Sequence, residues 1–522
     1  MNMTQTKTWK EIQHYFDEFQ HKKITDLFDS RRLKDFSFDF NGLYFDFSKN
    51  KIDHNLLDLF SETANELNLK KGIEEMFEGK KINHTEKRAV LHTALRKPEN
   101  EKLILDGKNI MEDIAEAKRK MKVFSNKIIN GEWKGYTGKK ITDIVNIGIG
   151  GSELGPKMIV HALKDFRNHL KMHYLSNIDP VQLDDILAKV DLETTLFIIV
   201  SKSFSTQETL TNARNIQKLY INKYGKESIA KHFATVSTQI EKAQNFGIHK
   251  ENIFPMWDWV GGRFSLWSPA GISIPLATGF ENYEKLLSGA YKMDLHFKES
   301  SWKKNIPFIS AVISIIYNNL FHYQTEAYIP YAEKLTYLPD FLQQLLMESN
   351  GKYVDKEGNK VNYQTGNIIW GNTGTNAQHS FFQLLHQGTK IVPVHFLAEK
   401  KNKNTPFPEQ HTMLLANMIA QAEALMKGEK NENPYKNFEG NRPSTSILID
   451  EINPENLGGL IAYFEHITFV EGFLWNINSF DQFGVELGKK TANKIYESLK
   501  NKKTDRKYDD STRNLIKKVL GI

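Results

Sequence analysis

Four short apolar runs, 144–147, 173–175, 196–200 and 234–236, alternate with stretches of helical periodicity between about 141 and 258. Runs of this length read as buried strands, and their alternation with helices predicts βαβ units around a parallel sheet. The same constraint says where a ligand would sit, because such sheets bind ligands beyond the carboxyl ends of their strands. Two unusual loops would emerge there. The first run leads into Gly148-Ile-Gly-Gly-Ser-Glu-Leu-Gly-Pro156, and the third into Ser201-Lys-Ser-Phe-Ser-Thr-Gln-Glu-Thr209.

Five hydroxyls and a lysine where a strand gives way to a helix make an anion site, since the first N–H groups of a helix lack backbone partners. A helix is expected over 209–220, with Ser205-x-x-Glu208 as its capping box. Capping accounts for two of these polar residues but not for Ser201, Lys202, Ser203 and Thr206 as well. Glu208 is an awkward neighbour for a phosphate and is read as orienting another polar side chain. The glycine loop fails both nucleotide fingerprints. Glu153 replaces the third glycine of G-x-G-x-x-G, and Pro156 stands where G-x-x-x-x-G-K-[ST] needs lysine. What remains is either a merely structural turn or one that lets a ligand approach the backbone, with Ser152 as a hydroxyl donor. Two such loops facing one crevice suit a small phosphorylated substrate.

The 522 residues allow two or three domains and a large core. A formal net charge of +6 is too diffuse to argue for nucleic acid. The absence of cysteine excludes disulfides, thiol nucleophiles and thiolate metal sites. Neither a secretory leader nor a run of ~18 apolar residues is seen, so a soluble, cytoplasmic protein that contacts no membrane is expected. Residues 1–105 read as mostly helical, with a hairpin near 36–47 turning at Asn41-Gly42. A helical stretch near 283–322 leads to a further candidate strand at 390–396. The basic tail 498–522 ends in a helix with Leu515, Ile516, Val519 and Leu520 on one face, read as a docked helix.

Four further segments carry candidate chemistry, each beside a plainer reading. In Gly261-Gly-Arg-Phe-Ser-Leu-Trp267 two glycines let Arg263 enter a tight site as a permanent cation, unless it is a surface ion-pair arginine. In Gln343-Gln-Leu-Leu-Met-Glu-Ser-Asn-Gly351, Glu348 precedes a polar turn at a helix C-terminus. The dipole there would raise its pKa towards that of a general base, although a lone glutamate is usually solvated. His379 falls in the first turn of an amphipathic helix that also carries His386, without the three- or four-residue spacing and carboxylate of a metal pair. A core or capping role is its alternative. In 478–489, Gln482, Glu486 and Lys489 share a helix face, so Lys489 either reaches a sugar oxygen or pairs with Glu486.

These segments, in this order, resemble the phosphoglucose isomerase family of the sugar-isomerase fold. The resemblance runs from Thr85-Glu-Lys-Arg-Ala-Val-Leu-His-Thr-Ala-Leu-Arg96 to Lys489, and is most specific around 258–271 and 477–489. Phe438-Glu-Gly-Asn-Arg-Pro443 belongs to it as well. Ser203 and Ser205 stand where many members have threonine, which keeps the hydroxyls. The resemblance implies an α/β fold of two sugar-isomerase-type domains, each a mainly parallel sheet flanked by helices, with helical N- and C-terminal extensions. Residues 106–282 would form the small domain, and 1–105 with 283–522 the large domain and C-terminal arm.

It also implies reversible isomerisation of glucose 6-phosphate and fructose 6-phosphate through a cis-enediol, in glycolysis and gluconeogenesis, with no metal or other cofactor. Ser152, Ser201, Ser203 and Thr206 would hold the phosphate, with Gly151, Lys202, Phe204 and Ser205 lining the same loops. Gln344 would bind sugar hydroxyls, and Gln482 is counted with the substrate-binding residues. Glu348 would move the proton between C2 and C1, and Arg263 would stabilise the enediol. His379 and Lys489 would assist ring opening, with Glu208 orienting His379. The family is a homodimer in which that histidine serves the other subunit's site. Two rivals remain: an isomerase that also accepts mannose 6-phosphate, and a non-catalytic phosphosugar-binding module. The second would need the phosphate loops but not Glu348, Arg263, His379 and Lys489 together.

Overall fold

A computed structural model describes residues 1–403 and 405–522. The chain divides into two compact units, Met1–Ser479 and Phe480–Ile522. In the first unit, the helix Lys7–Phe19 precedes the hairpin of β1 (Ser37–Phe40) and β2 (Leu43–Asp46). Asn41 and Gly42 have φ of 45° and 77°, the left-handed pair that an Asn-Gly turn between strands requires. A ribbon of β3 (Ile104–Leu105) and β4 (Lys108–Asn109) leads to the helix Ile110–Ile129.

The next five strands are β5 (Asp143–Ile147), β6 (Lys171–Leu175), β7 (Thr195–Val200), β8 (Phe233–Val236) and β9 (Ile253–Phe254). They form one parallel sheet in the order β6-β5-β7-β8-β9. Its first four strands are the four apolar runs, and β5, β7 and β8 are buried throughout. The sheet grows from β5 in both directions, with β6 on one side and β7 on the other. The connections after β5 and β7 therefore part and leave a crevice at the strand ends.

A second sheet holds β10 (Thr325–Tyr331), β11 (Ile368–Trp370), β12 (Val394–Glu399) and β13 (Ser444–Ile449). These four are parallel to one another, and the N-terminal hairpin joins antiparallel through β2 and β13, giving the order β1-β2-β13-β12-β10-β11. The strand expected at 390–396 starts only at Val394. Pro393 just before it has no N–H for the ladder. The helical stretch expected near 283–322 is two helices, Phe280–Glu299 and Ile306–Ile315, with a π-helical end at Ile316–Leu320.

The helix Pro454–Leu474 is enclosed on nearly every side. Asn453 caps it by accepting from the Asn456 N–H, and Pro454 supplies a first residue already fixed in φ. It meets the helix Phe280–Glu299 backbone to backbone. A Cβ on Gly289 would come within 1.8 Å of the Glu455 carbonyl oxygen, and one on Gly458 within 2.0 Å of that of Leu286. No helix among the described residues is long and apolar enough to cross a membrane.

The second unit, taken by itself, has the helices Glu486–Lys500 and Asp510–Leu520. Of the apolar stripe expected on the last helix, only Ile516 is buried, while Leu515 and Val519 are 62% and 72% exposed. Two short helices cover only one strip of each other.

Glu471, on the enclosed helix, is fully buried, and burial together with the nearby carboxylate Glu326 pushes its pKa from 4.5 to about 8. A raised pKa means that the folded chain binds the proton more tightly than the unfolded one. The associated stability is complete below pH 4.5 and is lost as the pH rises towards 8. Urea denaturation of wild type and Glu471→Gln between pH 5 and 8.5 should therefore show the wild type losing stability relative to the variant. Parallel pH profiles would contradict this account.

Candidate active site

The loop after β7 begins at Ser201, which is buried, and ends at Thr206, the N-cap of the helix Gln207–Tyr224. The expected capping box is not formed: Thr206 rather than Ser205 occupies the cap, and no side chain bonds to the first turn. Ser205 instead donates to Ser203 Oγ at 2.7 Å, and the hydroxyls of Ser201 and Thr206 are 3.3 Å apart. The cause is Phe204, whose φ of 48° reverses the chain while its ring packs edge-on against Phe246 in the core. A non-glycine residue held in the left-handed region carries strain, which clusters at ligand sites. Ser203 and Ser205, on either side of it, are exposed. Lys202 lies 3.2 Å from Asp258, and burial lowers its pKa although Asp258 opposes the shift.

Glycines tie the loop after β5 to this one. A Cβ on Gly148 would lie 2.7 Å from Ser152 Cβ and 3.3 Å from the Val200 carbonyl oxygen, at the end of β7. A Cβ on Gly151 would come within 2.0 Å of the Gly262 carbonyl oxygen and 2.7 Å of the Arg263 nitrogen. The glycine loop is thus wedged between the hydroxyl loop and the segment that carries Arg263. Asn146, at the end of β5, holds the Ser152 carbonyl at 2.9 Å.

Arg263 sits in the 3₁₀ segment Gly262–Trp267 with its side chain 1% exposed. Its Nε donates to Ser349 Oγ at 2.6 Å, its Nη2 to the Ser479 carbonyl at 2.5 Å, and its Nη1 faces Glu348 Oε2 at 3.4 Å. Glu348 ends a π-helical stretch, Gln343–Glu348, whose wide turn is a frequent feature of functional sites. Its side chain keeps 23% exposure, so the cation is enclosed while the carboxylate stays partly open. Gln344 Nε2 donates to the same Glu348 oxygen at 3.1 Å and would lie 3.0 Å from a Cβ on Gly150. Gln344, Glu348, Arg263, the glycine loop and the hydroxyl loop therefore meet in one place.

The remaining candidates lie on other elements. Glu208 is half-buried in the first turn of its helix. His379 closes the 3₁₀ turn Asn376–His379 instead of opening the helix Phe382–Gln387, and it is exposed. His386 bonds to Gln421 at 2.7 Å. In the second unit Lys489 is exposed on the helix Glu486–Lys500. Gln482 is not on that helix, because it precedes the turn Phe483–Val485 with φ of −151°.

Sequence reasoning gave no role to Ser349 and Ser479, which hold the guanidinium. It took Asn350 for part of a polar turn, whereas Asn350 is helical and fully buried. No spacing or composition marks these residues, since only the folded contact reveals them.

A sequence profile described as phosphoglucose isomerase matches residues 46–516. The chain belongs to the phosphoglucose isomerase family. It is 47% identical to a glucose-6-phosphate isomerase of Christiangramia forsetii over 99% of both chains. Among solved structures it is similar to a glucose-6-phosphate isomerase of Chlamydia trachomatis, with a TM-score of 0.88 and 32% identity over 99% of both chains. A hypothetical protein of Thermus thermophilus matches with a TM-score of 0.64 and 25% identity, covering 85% of this chain and 96% of that one.

If the hydroxyl loop binds an anion, replacing Ser201 and Thr206 by alanine removes donors worth about 1.5–3 kcal/mol each. Inorganic phosphate should raise the melting temperature of the wild type and leave that of Ser201→Ala/Thr206→Ala unchanged. Equal shifts in a thermal scan would mean that the anion binds elsewhere.

Proposed function

We propose that this chain catalyses the reversible isomerisation of glucose 6-phosphate and fructose 6-phosphate, as a cytoplasmic enzyme of glycolysis and gluconeogenesis that needs no cofactor. The observation that carries the reading is the buried Arg263 facing the partly open Glu348 at 3.4 Å, beside the two loops at the ends of β5 and β7. A module that only bound phosphosugars would gain nothing from enclosing a cation against a carboxylate. The two sheets are assigned to two sugar-isomerase domains, with 106–282 the small one and 1–105 with 283–522 the large one.

The hydroxyls of Ser152, Ser201, Ser203 and Thr206 hold the phosphate, with Gly151, Lys202, Phe204 and Ser205 shaping the cradle. Gln344 binds sugar hydroxyls, and Gln482 belongs with the substrate-binding residues. Fixing the phosphate commits remote binding energy to orienting C1 and C2. The ring is opened by His379 and Lys489, with Glu208 orienting His379. Glu348 then removes the C2 proton of the aldose. The C–H electrons form the C1–C2 double bond, the C1 carbonyl becomes an enediolate oxygen, and Arg263 balances its charge. The hydroxyl proton then passes from O2 to O1, and as Glu348 returns its proton to C1 the O2 electrons close the C2 carbonyl, leaving a ketone at C2 and a hydroxyl at C1. Placement of the base contributes about 10²–10⁴ in rate and the fixed cation about 10²–10³.

Glu348→Gln should keep phosphate affinity and lose turnover by about two orders of magnitude or more. A coupled assay from fructose 6-phosphate measures the loss. Wild-type C2 proton exchange in heavy water by the variant would remove Glu348 from the role of base.

The enzyme is read as a homodimer in which His379 serves the other subunit's site, and its exposed position supports that reading. Each site then takes Glu348 from one chain and His379 from the other. Glu348→Ala and His379→Ala homodimers should both be nearly inactive. After joint unfolding and refolding, random pairing makes half the dimers mixed, each with one intact site, so about a quarter of wild-type activity should return. Mixed dimers without recovered activity would place His379 in its own chain's site.

A further inference from the structure

The Arg263–Glu348 pair is held from behind by a buried polar chain that no step of the reaction uses. Arg263 donates to Ser349 Oγ and to the Ser479 carbonyl. Ser479 is held in turn by Asn350, whose Oδ1 accepts from Ser479 Oγ at 2.7 Å. The amide nitrogen of Asn350 donates to the Thr468 carbonyl at 3.1 Å and to Glu471 Oε2 at 2.9 Å, both on the enclosed helix Pro454–Leu474. Asn350 is fully buried, and both ends of its amide are engaged.

Two further contacts set the register. A Cβ on Gly472 would lie 1.8 Å from Ser479 Oγ and 3.0 Å from Asn350 Oδ1, so the missing side chain there is what lets both groups seat against the helix. Lys352 Nζ donates to the carbonyls of Glu348, Ser349 and Asn478, which binds the end of the Glu348 helix to the strand of chain that carries Ser479.

We propose that Asn350 is a positioning residue for Arg263: it fixes the Ser479 carbonyl against the central helix and so sets where the guanidinium stands relative to Glu348. The inference rests on the roles given above to Arg263 and Glu348. Its physical content is that a buried cation shifts when an acceptor that holds it shifts. A displacement of about 1 Å in a catalytic constellation costs on the order of 100-fold in rate. The phosphate loops lie on other elements, so substrate capture is largely spared.

The test uses the full-length enzyme and compares Asn350→Ala, Ser479→Ala and Arg263→Lys, alone and with Asn350→Ala added to Arg263→Lys. The kcat per folded enzyme, well below the melting temperature, should fall about 10- to 100-fold in Asn350→Ala. The KM for fructose 6-phosphate should change less than about threefold, and the thermal shift with inorganic phosphate should be kept. Added to Arg263→Lys, Asn350→Ala should cost less than about twofold more, because both act on one cation. A wild-type kcat in a folded but less stable Asn350→Ala, or fully multiplicative losses in the double variant, would make Asn350 merely structural and overturn the proposal. If Asn350→Ala does not fold, Ser479→Ala decides. It removes the hydroxyl that Asn350 accepts from and leaves the carbonyl that holds Arg263, so a wild-type kcat there overturns the proposal equally. Glu348→Gln assayed in parallel separates the two levels: its retained turnover would sink the parent reading, and its loss beside an unimpaired Asn350→Ala would sink only this one.

Discussion

A cation that no water reaches holds the interior together. Arg96 is completely buried; it grips Asp294 through two bonds of 2.6 Å and Glu465 through one of 2.5 Å. Isolated, any of these charges would be very costly in the core, and only mutual pairing makes them tolerable. Asp294 also receives His466 at 2.8 Å. The group therefore binds the turn His92–Arg96, the helix Phe280–Glu299 and the helix Pro454–Leu474 into one body. Apolar packing could hold these elements, but it would not fix their register as charge pairing does.

That knot reaches the chemistry in one step. The second oxygen of Glu465 accepts from Trp267 Nε1 at 2.7 Å, and Trp267 ends the segment that carries Arg263. Phe264, next to Arg263, stacks on His92 at 4.7 Å. Arg263 thus inherits its place from the core, while the hydroxyl and glycine loops inherit theirs from the strand ends of the parallel sheet. Such an arrangement suits a reaction that moves one proton over a short distance. It needs a carboxylate with some freedom, a cation with none, and an anchor remote from both.

Periodicity and turn chemistry carried the local architecture. Apolar runs of strand length and the Asn41-Gly42 turn follow from preferences that act over a few residues, so they can be read along the chain, whereas the strand expected from 390 begins only at Val394. The hydroxyl loop and the glycine loop stand out for the same reason, because each is a contiguous stretch of unusual composition at the end of a strand. Where two local rules compete, the sequence alone is a poorer guide. Ser205-x-x-Glu208 satisfies the capping pattern, yet the left-handed Phe204, held by its ring in the core, hands the cap to Thr206.

The sequence by itself determined the parallel sheet, the place of the hydroxyl and glycine loops and, through family resemblance, the choice of Glu348 and Arg263 as the proposed partners in the chemistry. Only the tertiary structure decided how that pair is held. Ser349, Asn350, Lys352, Glu471 and Ser479 come from segments more than a hundred residues apart, and their bonds are made by folding rather than by spacing. A buried polar residue looks like any other polar residue in a sequence. What distinguishes it is the absence of water around it, and that is a property of the whole fold.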